Sequence, residues 1–196
     1  MSKAQNTRLH ILNKSFDLIY VNGYQATSVD KIIETTQVTK GAFYYHFKDK
    51  EDMGLAMIDD VLLPRLNRIL INPLSDEGHP LDRIYNSIKT NLLTGKDFDP
   101  RYGCPMNNLI QEMSPISSGF KTKLKKVINH WREALISVLD EAKNAGQLNS
   151  NIEPNDVANF IIVGYEGLRA TGKLETNMNL YKSYIRQLKF YLDNLK

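Results

Sequence analysis

Lys40, Gly41, Tyr44 and Tyr45 carry groups suited to a phosphate backbone and to base edges, and their spacing puts them on one side of a helix. On a helix drawn over residues 39–47 they fall between about 60° and 200°, whereas Phe43 and Phe47 cluster at about 0–40°. The phenylalanines therefore form an anchoring side. The other side keeps a cation, two phenols and a bare backbone position. An ammonium meets phosphate or guanine acceptors, phenol hydroxyls bond phosphates, and their rings contact thymine methyls. Glycine lets the backbone come close to a partner. Lys50 and the amides that open the next helix can hold a further phosphate. This is the chemistry of nucleic-acid recognition, and a helix-turn-helix is the arrangement that delivers it into a groove. Spacing alone also allows an ordinary α-hairpin with exposed tyrosines.

A second stretch, Arg101 to Met113, mixes polar groups with apolar ones at helical spacing. Asn108, Gln111 and Glu112 can share one side of a short helix, with Cys104 near Asn107 and Asn108. Together with Tyr102 and Trp131 these are the candidate contacts of a small-molecule pocket, which needs mostly apolar walls and a few polar groups. Trp131 also reads as plain core packing, as do Phe120, Met57, Met106 and Met113. Two readings of Cys104 stand side by side: a small buried hydrophobe, or a thiol that senses electrophiles or oxidants, helped by a helix N-terminus and by Arg101 nearby. As the single cysteine it excludes an intrachain disulfide and suits a reducing compartment. A sensor here would act through an adduct, a sulfenic acid, a mixed disulfide or an intersubunit bond. His10, His46, His79 and His130 are scattered, so no metal site is expected. No cofactor motif, catalytic triad order or glycine-rich phosphate loop occurs, which argues against an enzyme.

These side chains need a frame of helices. Leu9, Leu12, Phe16 and Ile19 predict a first helix over residues 3–22, stopped at Asn22-Gly23. Thr27 with Asp30 resembles a capping box that opens a second helix, with Val29, Ile32 and Ile33 as its buried side. Thr36-Gln37-Val38 reads as the turn and Thr39 as the cap of the third helix. Asp49 and Glu51 favour the start of a fourth, running to about residue 71 with a kink expected at Pro64. Asn72 to Pro80 is a connector. Leu81, Ile84, Ile88 and Leu92 mark a fifth helix, followed by a loop from Gly95 to Gly103 and a short sixth helix ending at Met113. A long seventh spans residues 116–145 and stops at Gly146. The eighth runs from Pro154 to about Gly172, and the ninth from Asn177 to the end. The class is all-α with about nine helices: a three-helix DNA-binding domain over residues 1–50 and a larger domain for effector binding and dimerisation over residues 51–196.

Charge and composition fit that division. Residues 1–50 hold seven Lys and Arg against four acids, while the other eighteen basic residues are matched by eighteen acids, so the whole net charge of +3 lies with the candidate DNA-binding part. With 42% hydrophobic residues the chain can build a core. No apolar run reaches membrane-spanning length, and the first residues enter a helical pattern without an apolar leader. A soluble cytoplasmic protein, with no membrane partner, is expected.

Gly23-Tyr24, Thr27-Ser28-Val29-Asp30, Val38-x-Lys40-Gly41 and Tyr44-Tyr45-His46-Phe47 followed by Lys50-Glu51 together resemble the N-terminal domain of the TetR/AcrR family of bacterial repressors. The likeness covers about 50 residues; beyond them it lies mainly in helix layout. It implies a homodimer on a palindromic double-stranded DNA operator, released when a small-molecule effector binds. By position it implies DNA contacts from Ser28, Thr39, Lys40, Gly41, Tyr44, Tyr45, His46 and Lys50. His46 falls off the exposed side, near about 300°, where it can instead orient the next helix. Helices near residues 154–172 and 177–195 would pair with their twofold mates, and the fourth helix would link DNA module and cavity. The stretch from Gly103-Cys104-Pro105 to Glu112-Met113-Ser114 resembles a subgroup that includes regulators of electrophile and small-metabolite responses. A rival reading keeps the DNA-binding module but gives the C-terminal domain a protein partner in place of a small molecule.

Overall fold

The computed structural model describes residues 2–95, 97 and 99–196. Residues 96 and 98 of the expected Gly95–Gly103 loop lie outside the described residues. Among the described residues the chain is helical, with no strand. The helices are α1 (Lys3–Asn22), α2 (Val29–Thr36), α3 (Lys40–His46), α4 (opening with Lys50–Met57), α5 (Pro80–Leu93), α6 (Pro105–Met113), α7 (Ser118–Asn144), α8 (Pro154–Thr171) and α9 (Asn179–Asp193). Among the described residues no helix is long and apolar enough to cross a membrane.

The chain divides into two compact units. One contains residues 1–64 and 105–126; the other contains residues 65–104 and 127–196. The first is built on Ile11, Leu12 and Phe16 of α1, Ile32 of α2, Phe43 and Phe47 around α3, and Met53 and Met57 of α4, all at most 2% exposed. Met106, Leu109 and Met113 of α6 and Phe120 of α7 are buried in the same unit. Burial of each phenylalanine contributes roughly 2–3 kcal/mol. That matters for α3, which at seven residues is far too short to form alone.

Local chemistry sets the helix ends. Ser2 and Gln5 form a reciprocal capping box on α1. The expected Thr27/Asp30 box is replaced by a different cap: Ser28 accepts from the Lys31 amide at 3.1 Å, and Thr27, turned inward, donates to the Gly23 carbonyl at 2.7 Å. Gln37 takes the left-handed conformation (φ 57°) that the turn between α2 and α3 requires. At Pro64 the helical run continues. It passes through π-helical turns at Ile58–Leu62 and Asn67–Ile71 on either side, which widen the hydrogen-bond ladder where proline supplies no N–H. Gly146 (φ 67°) ends α7, with Gln147 N–H bonding the Ala142 carbonyl at 2.9 Å, a Schellman arrangement.

In the second unit, α5 presents Leu81, Ile84, Ile88 and Leu92 to the core, α7 presents Trp131 and Leu135, α8 Ile161 and Tyr165, and α9 Tyr181, Ile185 and Leu188. Lys189 of α9 ties to Asp82 of α5 at 3.1 Å. Further apolar side chains of α8 and of the C-terminal end close this core: Val157, Ile161 and Leu168 are buried, as are Leu192 and Leu195. Phe160 and Val163 of α8 and Phe190 of α9 instead face solvent.

Candidate nucleic-acid interface

The third helix is held from one side only. Thr39 caps it by accepting from the Ala42 amide at 3.1 Å. Phe43 and Phe47 are buried with ring centroids 5.6 Å apart. On the other side Tyr44 and Tyr45 are 47% and 78% exposed. Both phenols are apolar bodies with a hydroxyl at the tip, left in solvent by the fold. Lys40 reaches Asp30 at 3.7 Å, but both side chains are more than two-thirds exposed, so that pair holds the ammonium only weakly. Ser28 and Thr39 use their hydroxyl oxygens as cap acceptors, and each keeps its own O–H to donate.

Gly41 is the informative position. A Cβ built there would meet only Thr39 Oγ1, at 4.0 Å. Its φ is not positive. Neither packing nor backbone conformation in the folded chain calls for glycine, although glycine in a helix costs about 0.5–1 kcal/mol relative to alanine.

Two of the predicted DNA contacts sit differently. His46 is half-buried, with its ring 4.9 Å from that of Tyr45 and 6.2 Å from that of Phe47. Lys50 is turned back onto its own unit. Its ammonium lies 4.4 Å over the Tyr24 ring and 3.4 Å from the Gln25 carbonyl, and burial pulls its pKa down against the opposing pull of Glu112.

The six candidate ligand contacts are divided between the two units. Asn108, Gln111 and Glu112 belong to the first unit; Tyr102, Cys104 and Trp131 belong to the second. Gln111 is exposed and bonds Asn107 at 3.4 Å. Asn108 and Glu112 border a void of about 10 Å³, room for one water at most. Glu112 gives both carboxylate oxygens to backbone amides: Tyr24 N–H at 2.8 Å and Gln25 N–H at 2.6 Å. Trp131 is 1% exposed and packs edge-on to Tyr165 at 5.2 Å.

Cys104 is buried, and its thiol donates to Glu166 Oε1 at 3.3 Å. The expected basic neighbour is elsewhere: Arg101 is exposed and chelates Asp99. Burial pushes the Glu166 carboxyl up to about 7, while the Cys104 hydrogen bond and the Arg169 charge oppose the rise. Arg169 is 1% exposed and bonds the Gly103 carbonyl. Gly103 (φ 69°) is required here, because a Cβ would lie 2.7 Å from the Arg169 carbonyl oxygen. Tyr165 donates to Asn91 Oδ1 at 2.5 Å beside this group. Sequence reasoning missed Glu166 and Arg169. The available signal was Arg169 at i+4 from Tyr165 and i+8 from Ile161, inside the apolar stripe of α8.

The same unit opens a cavity of about 570 Å³ against α5, with Arg68, Asp76, His79, Arg83, Asn86 and Thr90 among its walls. None of the six predicted ligand contacts lines it. Among the described residues no group of three His, Cys, Asp or Glu is placed to hold a metal ion.

Residues 11–57 match the family described as "Bacterial regulatory proteins, tetR family", and residues 80–188 match "Tetracyclin repressor-like, C-terminal domain". The transcriptional regulator AcuR of Cereibacter sphaeroides is 31% identical over 170 residues, spanning 84% of this chain and 75% of the relative. The HTH-type transcriptional repressor DhaR of Mycobacterium sp. strain GP1 is 26% identical over 170 residues, 87% and 84% of the two chains. The crystal structure of a regulatory protein TetR from Rhodobacter sphaeroides superposes with a TM-score of 0.82 at 27% identity, covering 95% of this chain and 97% of that one. A capped, phenylalanine-anchored third helix in the matched N-terminal region and a match over more than half the chain in the C-terminal region lead to one assignment: the chain belongs to the TetR family of bacterial transcriptional regulators.

Proposed function

We propose that this regulator is a cytoplasmic repressor that binds a palindromic operator as a homodimer and leaves it when a small molecule or an electrophile binds. The observation that carries the DNA reading is the outer side of α3: exposed Tyr44, Tyr45 and Lys40 around Gly41, a glycine for which the folded chain itself has no use. Ser28 and Thr39, with donor hydroxyls at the starts of α2 and α3, would bond phosphates and fix register. Lys50 and His46 would act second-hand, through Tyr24 and Tyr45.

Exposed apolar side chains on α8 and α9 support the dimer. Phe160, Val163 and Phe190 are 58%, 71% and 65% exposed, and a Cβ at Gly167 would meet nothing within 4 Å. A second copy would cover them. For the effector, the Cys104 thiol with a carboxylate at hydrogen-bond distance supports an electrophile, because Glu166 can take the proton the thiol must lose before sulfur attacks. The 570 Å³ cavity against α5 supports a reversible small ligand.

The test uses a duplex enriched by the wild-type protein from a random library. Tyr45→Ala and Lys40→Ala should each weaken its binding at least tenfold while the circular dichroism spectrum stays helical. Unchanged mobility shifts for both variants would sink the assignment of the α3 face.

A further inference from the structure

We propose that Glu112 is a positioning residue for operator binding: from α6 it fixes the corner between α1 and α2, and through that corner the placement of α2 and α3. The proposal rests on the reading of α3 as the DNA-contacting helix.

The corner is unusual in how it is held. After α1 ends at Asn22, the chain turns through Gly23 (φ 87°), and the next two amides, Tyr24 and Gln25, point the same way. Successive N–H groups of this kind make a small anion cradle. Glu112 fills it, one oxygen to each N–H, at 2.8 and 2.6 Å. These are charge-assisted bonds, roughly twice as strong as neutral ones. Gly23 makes the approach feasible, since a Cβ there would already lie 3.4 Å from Glu112 Oε1 in a backbone conformation that disfavours side chains.

Tyr24 passes the constraint on. Its side chain is buried, its hydroxyl donates to the Lys50 carbonyl at 3.0 Å, and its ring meets Phe120 at 4.8 Å. Lys50 closes the group over the Tyr24 ring and towards the Gln25 carbonyl. Thr27 bonds back to the Gly23 carbonyl, and Ser28, one residue later, caps α2. Glu112 thus meets the chain at Gln25, 87 residues away in sequence and three residues before Ser28, the first of the predicted DNA contacts. Its own helix begins at Pro105, immediately after Cys104. A carboxylate whose two oxygens serve two backbone amides is committed to geometry rather than to a ligand.

The experiment compares full-length wild type, Glu112→Gln and Asp60→Asn. Gln keeps the side-chain volume but turns one acceptor into an N–H donor facing an N–H. Asp60→Asn breaks a different tie within the same unit, the Arg8–Asp60 ion pair at 2.5 Å. Amide hydrogen exchange at Tyr24 and Gln25 should rise at least tenfold in Glu112→Gln. Affinity for the library-enriched duplex should fall at least tenfold, while affinity for a scrambled duplex of equal length changes less than twofold. A general loss of folding would lower both affinities together. Asp60→Asn should stay within twofold of wild type on both duplexes. Unchanged exchange would show that the clamp does not exist. Faster exchange with undiminished affinity for the enriched duplex, or an equal loss in Asp60→Asn, would overturn the positioning role. If the wild type enriches no duplex, the DNA reading of α3 itself fails, and the exchange measurement tells that failure apart from failure of the clamp.

Discussion

Substituting Gly41 by alanine separates folding from function at a single methyl group. The added Cβ finds only Thr39 Oγ1, at 4.0 Å, so no strain is introduced. Removing glycine from a helix stabilises by about 0.5–1 kcal/mol, with the lower figure expected in the first turn where Gly41 sits. For a chain of this size that is a rise of about 1–2 °C in the unfolding midpoint. On DNA the same methyl stands where the backbone would approach a phosphate or base edge. A displaced contact costing about 1.4 kcal/mol is a tenfold loss per half-site, and about a hundredfold for two half-sites. Urea unfolding and fluorescence anisotropy on the enriched duplex read the two effects independently. A variant that gains stability and keeps full affinity would refute the argument that this glycine serves an external partner. A variant that loses stability would refute the claim that the space around it is open.

The second unit and the outer helices give three more predictions. Gly103→Ala places a methyl 2.7 Å from the Arg169 carbonyl oxygen at φ 69°, so it should destabilise by about 2 kcal/mol or more, seen as a lower urea midpoint; an unchanged midpoint would mean the close approach is not real. Glu166 titrates near 7 when folded against an ordinary value near 4.5, so the folded state binds more protons between those values. Its contribution is therefore full below pH 4.5 and lost as pH rises through 7, on the order of 3 kcal/mol. Glu166→Gln should flatten this part of the stability profile, and a profile of unaltered slope would remove the burial argument. Val163→Glu puts a charge at an exposed apolar position of α8 and should convert a dimer to monomers by light scattering at micromolar concentration, with helicity unchanged; a variant that remains dimeric would place the interface elsewhere.

What could be read from the chain follows the range of the interactions involved. Helix starts and stops come from residues a few positions apart, and Thr39 as a cap, Gln37 in the turn and Gly146 as a stop all lie where local rules put them. The division of α3 into a buried Phe43/Phe47 side and an exposed Tyr44/Tyr45 side is likewise a matter of helical period. Local rules failed where two near-equivalent residues competed for one task, as when Ser28 took the cap assigned to Thr27. At Pro64 the helical run continues to Ile71, as its apolar pattern led one to expect, with π turns on either side of the proline that local rules do not foretell.

The site is harder because its partners come from distant segments. Glu112 was legible as a polar residue on a short helix, which fits a ligand contact equally well. Only the meeting of α6 with the corner after α1 reveals that its oxygens are taken by backbone. Cys104 presents the same problem with the sign reversed. Its sequence neighbour Arg101 suggests an electropositive thiol, but Arg101 is bound to Asp99, and a carboxylate, that of Glu166, 62 residues on, accepts from the sulfur. A carboxylate partner stores the thiol proton and does not stabilise a resting thiolate. An electrophile attacked by Cys104 would find Glu166 at hydrogen-bond distance to take the thiol proton, so the rate of adduct formation should drop in Glu166→Gln, and an unchanged rate would remove Glu166 from that step.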